Sequence, residues 1–172
     1  MGDRIAIHPV NPQPRMIARA VDAVQRGALL VAPSDAGYLL LWAVDALKAE
    51  ERVQRMRGLD SKHPFTFILP VSSELPRRFK QAKRKVIGCR IPDSSVLLAL
   101  IRDCGTPLLS TSIEFDEDSP DRQDPEDVAD RVLRDVDLML DAGECAAGPT
   151  SVVDLSGDVP CVVRQGAVPV VF

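Results

Sequence analysis

A chain of 172 residues, 45% hydrophobic and 27% charged, is long enough to bury a core and short enough to predict a single domain over residues 1–172. A formal net charge of −4 argues against a protein wrapped in nucleic acid by bulk charge, while leaving room for a local basic face. Four cysteines without CxxC spacing and only two histidines, His8 and His63, point to neither a zinc site nor a disulfide framework.

Short apolar runs alternate with helical patterns, the mark of an α/β or mixed layered fold. "IAIHP" opens as a strand. In "NPQPRMIARAVDAVQRG" Asn11 is placed to cap, Pro12 suits the first turn, Ile17, Val21 and Val24 share a face, and Gly27 ends the helix. "ALLVAP" reads as a buried strand with "SDAG" as its loop, and "DALKAEERVQRMRG" repeats the helix grammar from Asp45 to Gly58. Then come strands "FTFIL" and "KVIGCRIP", the helix "DSSVLLALIRDCG", the strand "PLLSTS", a helix from Asp124 and Pro125 through "EDVADRVLRDV", and closing strands "SVVDLS" and "CVVRQG".

No apolar run approaches the length of a membrane span. The opening MGDRIA carries neither a signal-peptide core nor the Ser or Thr at position six that favours myristoylation. The expectation is a cytoplasmic chain with reduced thiols and no membrane partner.

Charge is unevenly spread. Between Leu75 and Pro92 there is no acidic residue, while Arg77, Arg78, Lys80, Lys83, Arg84, Lys85 and Arg90 lie within that stretch; from Glu114 to Asp141 acid dominates. Such blocks read either as two solvated faces or as a basic border to an anion or RNA site, with Lys80, Lys83, Arg84 and Lys85 as the RNA-binding candidates. Phe79 is the one ring inside the basic stretch, so contact with the backbone of structured RNA suits it better than base stacking.

P-loop, dinucleotide-fingerprint, zincin and nucleophile-elbow motifs are all absent from the sequence. What remains are hydroxyls and arginines at the ends of apolar runs: Ser34, Arg55, Arg57, Arg90, Ser110, Ser112, Thr150, Ser151 and Arg164. Ligands of open α/β sheets lie near strand ends, and guanidinium groups and hydroxyls donate to oxyanions. Singly, each also has a plain structural reading as a turn former or a helix-end cation.

The ordered series "LLVAPSDAGYLL", "RMR", "IGCRIP", "PLLSTS", "VDLMLDAG", "GPTSVVDL" and "CVVRQGAV" resembles the YrdC/YciO family of threonylcarbamoyl-AMP synthase-like proteins. The opening "IHPVNPQPRMIARAVDAVQRG" and "PRRFKQAKRKVIGCRIP" are closer to the YciO branch. The resemblance implies a twisted open mixed α/β sheet flanked by helices, with a positively lined concave surface. It also implies ATP binding, with Mg2+ helping to neutralise the phosphates. In the synthase branch it implies condensation of L-threonine, bicarbonate and ATP into threonylcarbamoyl-AMP for tRNA modification, a transferase activity. Double-stranded RNA and tRNA are further partners that the resemblance implies.

Matched motif by motif, Ser34 and Tyr38 would border the threonine pocket. Arg55 and Arg57 stand at the family's K-x-R positions and would carry the catalytic charge. Arg90, Ser110, Ser112, Ser151 and Arg164 would line the nucleotide. Where the synthases continue their STS cradle with Ala and Asn, this chain has Ile113 and Glu114, which removes a polar ligand and adds a carboxylate that repels phosphate. The family's Gly after the tyrosine is Leu39 or Leu40 here. The stretch "SKHPFTFILPVSSELPRRF" joins two family segments that a strand and a helix normally separate, a deletion of roughly thirty residues. Losing them leaves a sheet edge to be covered, by a second copy of the chain or a neighbouring element. Three readings stay open: a weak synthase, a non-catalytic nucleotide or RNA binder, and a homologue with no ligand.

Overall fold

The computed structural model describes residues 2–49, 66–70, 86–113, 122–166 and 170. In chain order the elements are β1 (Asp3–Ala6), α1 (Pro14–Gln25), β2 (Leu30–Ser34), β3 (Gly37–Ala43), β4 (Thr66–Pro70), β5 (Val86–Cys89) and α2 (Ser95–Cys104). They continue with β6 (Leu108–Ser112), β7 (Arg122–Gln123), α3 (Pro125–Val132), β8 (Leu138–Asp141), β9 (Cys145–Ala146), β10 (Val152–Asp154) and β11 (Cys161–Arg164). Contacts divide the chain into two compact units, residues 1–62 with 92–147, and residues 63–91 with 148–172. Of the helix predicted from Asp45 to Gly58, residues 47–49 are helical and the rest lies outside the described residues.

The first unit is built on a five-stranded sheet in the order β1-β8-β2-β3-β6. β1, β8 and β2 are parallel, whereas β3 pairs antiparallel with both β2 and β6. Alternation sends Leu30, Ala32, Leu39, Leu41, Leu138 and Leu140 to one face, where they pack with Ile17, Val21 and Val24 of α1 and Val96, Leu97 and Leu100 of α2. Val31, Tyr38, Leu40, Trp42 and Met139 go to the other face, against Val128, Ala129 and Val132 of α3. A sheet covered on both faces needs continuous apolar strands, which is why all five residues of β2 are buried. Each fully buried leucine contributes about 1.5–3 kcal/mol.

Two strands of this five-stranded sheet went unread in the sequence. β3 follows β2 through a two-residue turn, and β8 sits between β1 and β2. Their runs "GYLLLWA" and "DLMLD" lack a polar alternation because both of their faces are covered.

Local signals set most helix ends. Ser94 caps α2 by accepting from the Leu97 N–H at 3.4 Å, Gly105 closes it at φ +68, and Asp124 caps α3 by accepting from the Glu126 N–H at 2.8 Å. α1 departs from expectation. Its cap is Gln13, with no side-chain cap bond, and Pro14 rather than Pro12 takes the first turn. The segment before it is folded onto His8, whose Nδ1 accepts from the Asn11 N–H at 3.0 Å while Gln13 Oε1 accepts from the His8 N–H at 3.0 Å. Asn11 is held in that turn, so the cap moves along. α3 likewise stops at Val132 rather than Val136, because the Leu133 carbonyl accepts from Gly2 N–H at 2.8 Å and the chain turns to enter β8.

The second unit is a four-stranded sheet, β11-β10-β4-β5, with β10 parallel to β4 and the other pairs antiparallel. Val153 and Ser151 are its buried residues among those described. A register shift between Val152 and Val153 turns Val163 outward, 59% exposed. Among the described residues no helix is long and apolar enough to cross a membrane.

Candidate functional site

β1, β8, β2 and β6 run in one direction, so Ala6, Asp141, Ser34 and Ser112 finish at one end of the first unit's sheet, where β3 begins. Ser34 is 7% exposed there, and its hydroxyl donates to the Gly37 carbonyl at 2.6 Å and accepts from the Ala36 N–H at 3.1 Å. Both bonds close its own turn. Ser34 therefore offers a ligand a lone pair rather than a proton.

Gly37 adopts φ +98, and a β-carbon on it would lie 2.7 Å from Gln123 Oε1. That position admits glycine both for its backbone and for the amide packed against it. Tyr38 is fully buried, and its hydroxyl donates to the Gly143 carbonyl at 2.7 Å and accepts from the Ala142 N–H at 3.2 Å. Burial pushes its phenol far above the usual range, so it stays neutral. Beside it the Cys145 thiol is also raised, chiefly by burial, which makes it a packing group rather than a nucleophile.

The turn that receives Tyr38 is held by Asp141. Its Oδ1 accepts from the Gly143 N–H at 2.9 Å, and its Oδ2 accepts from Arg4 Nε at 2.9 Å and Nη2 at 2.7 Å. Arg4 also donates to Glu126 Oε2 at 2.7 Å. The Glu126 bond, then Asp141, raises the Arg4 guanidinium, while Arg4 lowers the Glu126 carboxyl. One arginine thus joins β1, α3 and the β8 turn.

The register of β6 on β3 decides which way the STS hydroxyls face. Ser110 pairs with Leu41 and Ser112 with Leu39, on the face of α1 and α2, whereas Thr111 pairs with Leu40 on the face of Tyr38 and α3. Ser34 follows the same alternation as Ala32, on the α1 and α2 face. The structure therefore groups Ser34, Ser110 and Ser112, and sets Tyr38 on the opposite face. Thr111 is buried and its hydroxyl has no hydrogen-bond partner.

In the second unit β11 and β5 finish, and β10 and β4 begin, at one sheet end. Arg164 closes β11, Arg90 follows β5, and Thr150 and Ser151 precede β10, so all four meet at that end. Three strand spacings, about 14 Å, separate the edge strands that carry the two arginines. Arg164 donates to the Thr150 carbonyl through Nε at 3.0 Å and Nη2 at 2.9 Å, and burial lowers its guanidinium below the usual value. Ser151 is fully buried and its hydroxyl accepts from the Gly166 N–H at 2.9 Å. The three guanidinium nitrogens of Arg90 are buried as well, and the buried Thr150 hydroxyl has no partner. These are the donor types that hold an oxyanion.

Arg55, Arg57, Lys80, Lys83, Arg84 and Lys85 lie outside the described residues. Sequence reasoning passed over Gln123 and Asp141 as site groups. Thr150 was picked out by its place before an apolar run, without a role of its own. Gln123 had no such signal, because the Tyr38 N–H that it accepts from lies 85 residues away.

Twisted mixed sheets with few helices, carrying arginines and hydroxyls at their strand ends, define a mixed α/β protein. The chain belongs to the Sua5/YciO/YrdC family: the family model, described as telomere recombination, matches residues 62–166. The uncharacterized protein YciO of Escherichia coli K12 is 36% identical over 192 residues, covering 93% of each chain. That alignment is longer than this chain's 172 residues, so YciO carries residues within it that this chain lacks. The crystal structure of E. coli YciO superposes with a TM-score of 0.85 at 35% identity, over 97% of both chains. The P. abyssi Sua5 structure complexed with L-threonine has a TM-score of 0.72 at 18% identity, over 97% of this chain and 58% of Sua5, and shares the fold. A putative threonylcarbamoyl-AMP synthase of Methanocaldococcus jannaschii is 28% identical over 109 residues, 62% of this chain and 49% of that protein.

Proposed function

We propose that the chain binds ATP and L-threonine at these strand ends and retains weak threonylcarbamoyl-AMP synthesis in the cytoplasm, in the service of tRNA modification. The observation that carries this is the placing of Arg90, Arg164, Ser151 and the unpartnered, buried Thr150 hydroxyl at one end of the second unit's sheet, with Arg164 bonded to Thr150. In the second unit these residues would hold phosphate; in the first unit, taken by itself, Ser110, Ser112, Arg55 and Arg57 are the hydroxyls and charges that would serve as nucleotide ligands. Condensation joins the threonine nitrogen to the carbon of bicarbonate and the resulting carbamate to the α-phosphate, and releases pyrophosphate and water. Such a reaction needs positioning and charge stabilisation more than a dedicated nucleophile. Among the described residues no group of three or more His, Cys, Asp or Glu is placed to hold a metal ion, so Mg2+ would enter on the phosphates of ATP.

An assay with purified protein, L-threonine, bicarbonate, ATP and magnesium should yield threonylcarbamoyl-AMP and pyrophosphate, and Arg57→Ala should abolish both products while leaving thermal stability in place. No product from the unmodified chain overturns the enzymatic reading. A second reading, a binder of nucleotide or double-stranded RNA without turnover, is favoured by Ile113, which is 5% exposed and buried on the α3 face where the synthases continue their cradle.

The same reading includes a homodimer. β5 is a terminal strand of its sheet, and a second copy pairing along it would cover the edge left by the shortened segment. Light scattering should then give twice the chain mass; a monomer at high concentration rejects it.

A further inference from the structure

The last rung between β3 and the STS strand is not made of backbone alone. The Ile113 N–H donates to the Tyr38 carbonyl at 3.3 Å. An ordinary antiparallel pair would return that bond with the Tyr38 N–H to the Ile113 carbonyl. Instead the Gln123 amide stands between the two: its Oε1 accepts from the Tyr38 N–H at 2.7 Å, and its Nε2 donates to the Ile113 carbonyl at 3.1 Å. One side-chain amide thus replaces one backbone bond and holds the strands apart by its own width. The missing β-carbon of Gly37 makes the room for it, since that atom would lie 2.7 Å from Oε1. Gln123 is itself held by β7, where it pairs with Cys145 of β9.

The geometry points to Gln123 as a positioning residue: a wedge that sets where the STS strand ends relative to the turn of Ser34 and Tyr38, and so where Ser110 and Ser112 stand. It rests on the reading of those serines as nucleotide ligands. The same amide ties Ile113 to Gln123 across the eight acidic-rich residues 114–121 and β7's Arg122, so it also fixes both ends of that stretch beside the cradle. Without the wedge the Tyr38 N–H and the Ile113 carbonyl would close on each other, and the strand end would move toward β3.

Gln123→Glu tests this, because only the protonated carboxyl can both accept from Tyr38 and donate to Ile113. Ionised, it turns a second oxygen on the Ile113 carbonyl. Among the described residues the titratable and charged groups around the position are Tyr38, Cys145, Asp124, Asp141 and the Arg122 with Glu144 ion pair. In nuclear magnetic resonance spectra of Gln123→Glu, the amide signals of Tyr38, Ser112 and Ile113 should shift at neutral pH and return to their wild-type places in acid. ATP, used as the probe, should bind about tenfold more weakly to the variant than to the wild type at neutral pH, and the ratio of the two affinities should return toward one over the same acid range, the protonation of ATP itself being common to both. Gln123→Met, which fills the space without either bond, should show the loss with no recovery. Signals that do not move, or an ATP affinity that stays unchanged while they move, overturn the inference. Failure of the wild type to bind ATP overturns the nucleotide reading instead, and the amide titration then decides the wedge by itself.

Discussion

Gly166→Ala is expected to lower the unfolding free energy by about 3 kcal/mol, at the upper end of the usual cost of overpacking. An added β-carbon would lie 2.2 Å from the Thr150 carbonyl carbon and 2.4 Å from Pro149 O and Ser151 N. These are backbone atoms, so no side chain can swing aside to make room. The Gly166 N–H bond to the Ser151 hydroxyl and the Arg164 bonds to the Thr150 carbonyl cross the same point. The variant should therefore lose ATP affinity together with stability. Urea unfolding followed by a nucleotide titration checks both; an unchanged midpoint would show that this crossing is looser than its distances imply.

Tyr38→Phe should cost about 2 kcal/mol, because it strands the Gly143 carbonyl and the Ala142 N–H in a buried site. Tyr38→Ala, which adds a cavity, should cost about 4 kcal/mol. The pH dependence has a definite sign. Burial raises the folded-state phenol above its ordinary value of about 10, so its contribution is complete below that value and is lost as pH rises beyond it. The gap between wild type and Tyr38→Phe should thus stay constant through neutral pH and narrow only in strong alkali. A gap that stays constant through strong alkali as well would mean that the hydroxyl is solvated rather than locked into the β8 turn.

These effects bear on function because the walls of the site are fold bonds. Ser34 and Tyr38 spend their hydroxyls on turns, while the Thr111 and Thr150 hydroxyls are buried and without hydrogen-bond partners. Thr111 becomes notable only once the register shows which face it takes, whereas Thr150 is marked in the sequence by its place before an apolar run.

How much of this was legible in the sequence follows from the range of each interaction. The caps of α2 and α3, the face of Ile17, Val21 and Val24, and the strands that carry "LLVAP", "LLSTS" and "VVD" are all encoded within a few residues, and the structure forms them. β8 was missed because its apolar run has no period of its own; only its place between β1 and β2 makes it a strand.

The sequence by itself determined the kinds of elements, most of their ends and the family, since propensity, capping and apolar period act over neighbouring residues and ordered motifs survive in the string. Tertiary structure alone decided which hydroxyls share a face, that Tyr38 looks away from Ser110 and Ser112, and that Gln123 stands in the ladder. The physical reason is distance along the chain: the Tyr38 hydroxyl finds its acceptor 105 residues away, and the Tyr38 N–H finds Gln123 85 residues away. Bonds of that span exist only after the strands have paired, because pairing fixes which backbone groups are left for a side chain to satisfy.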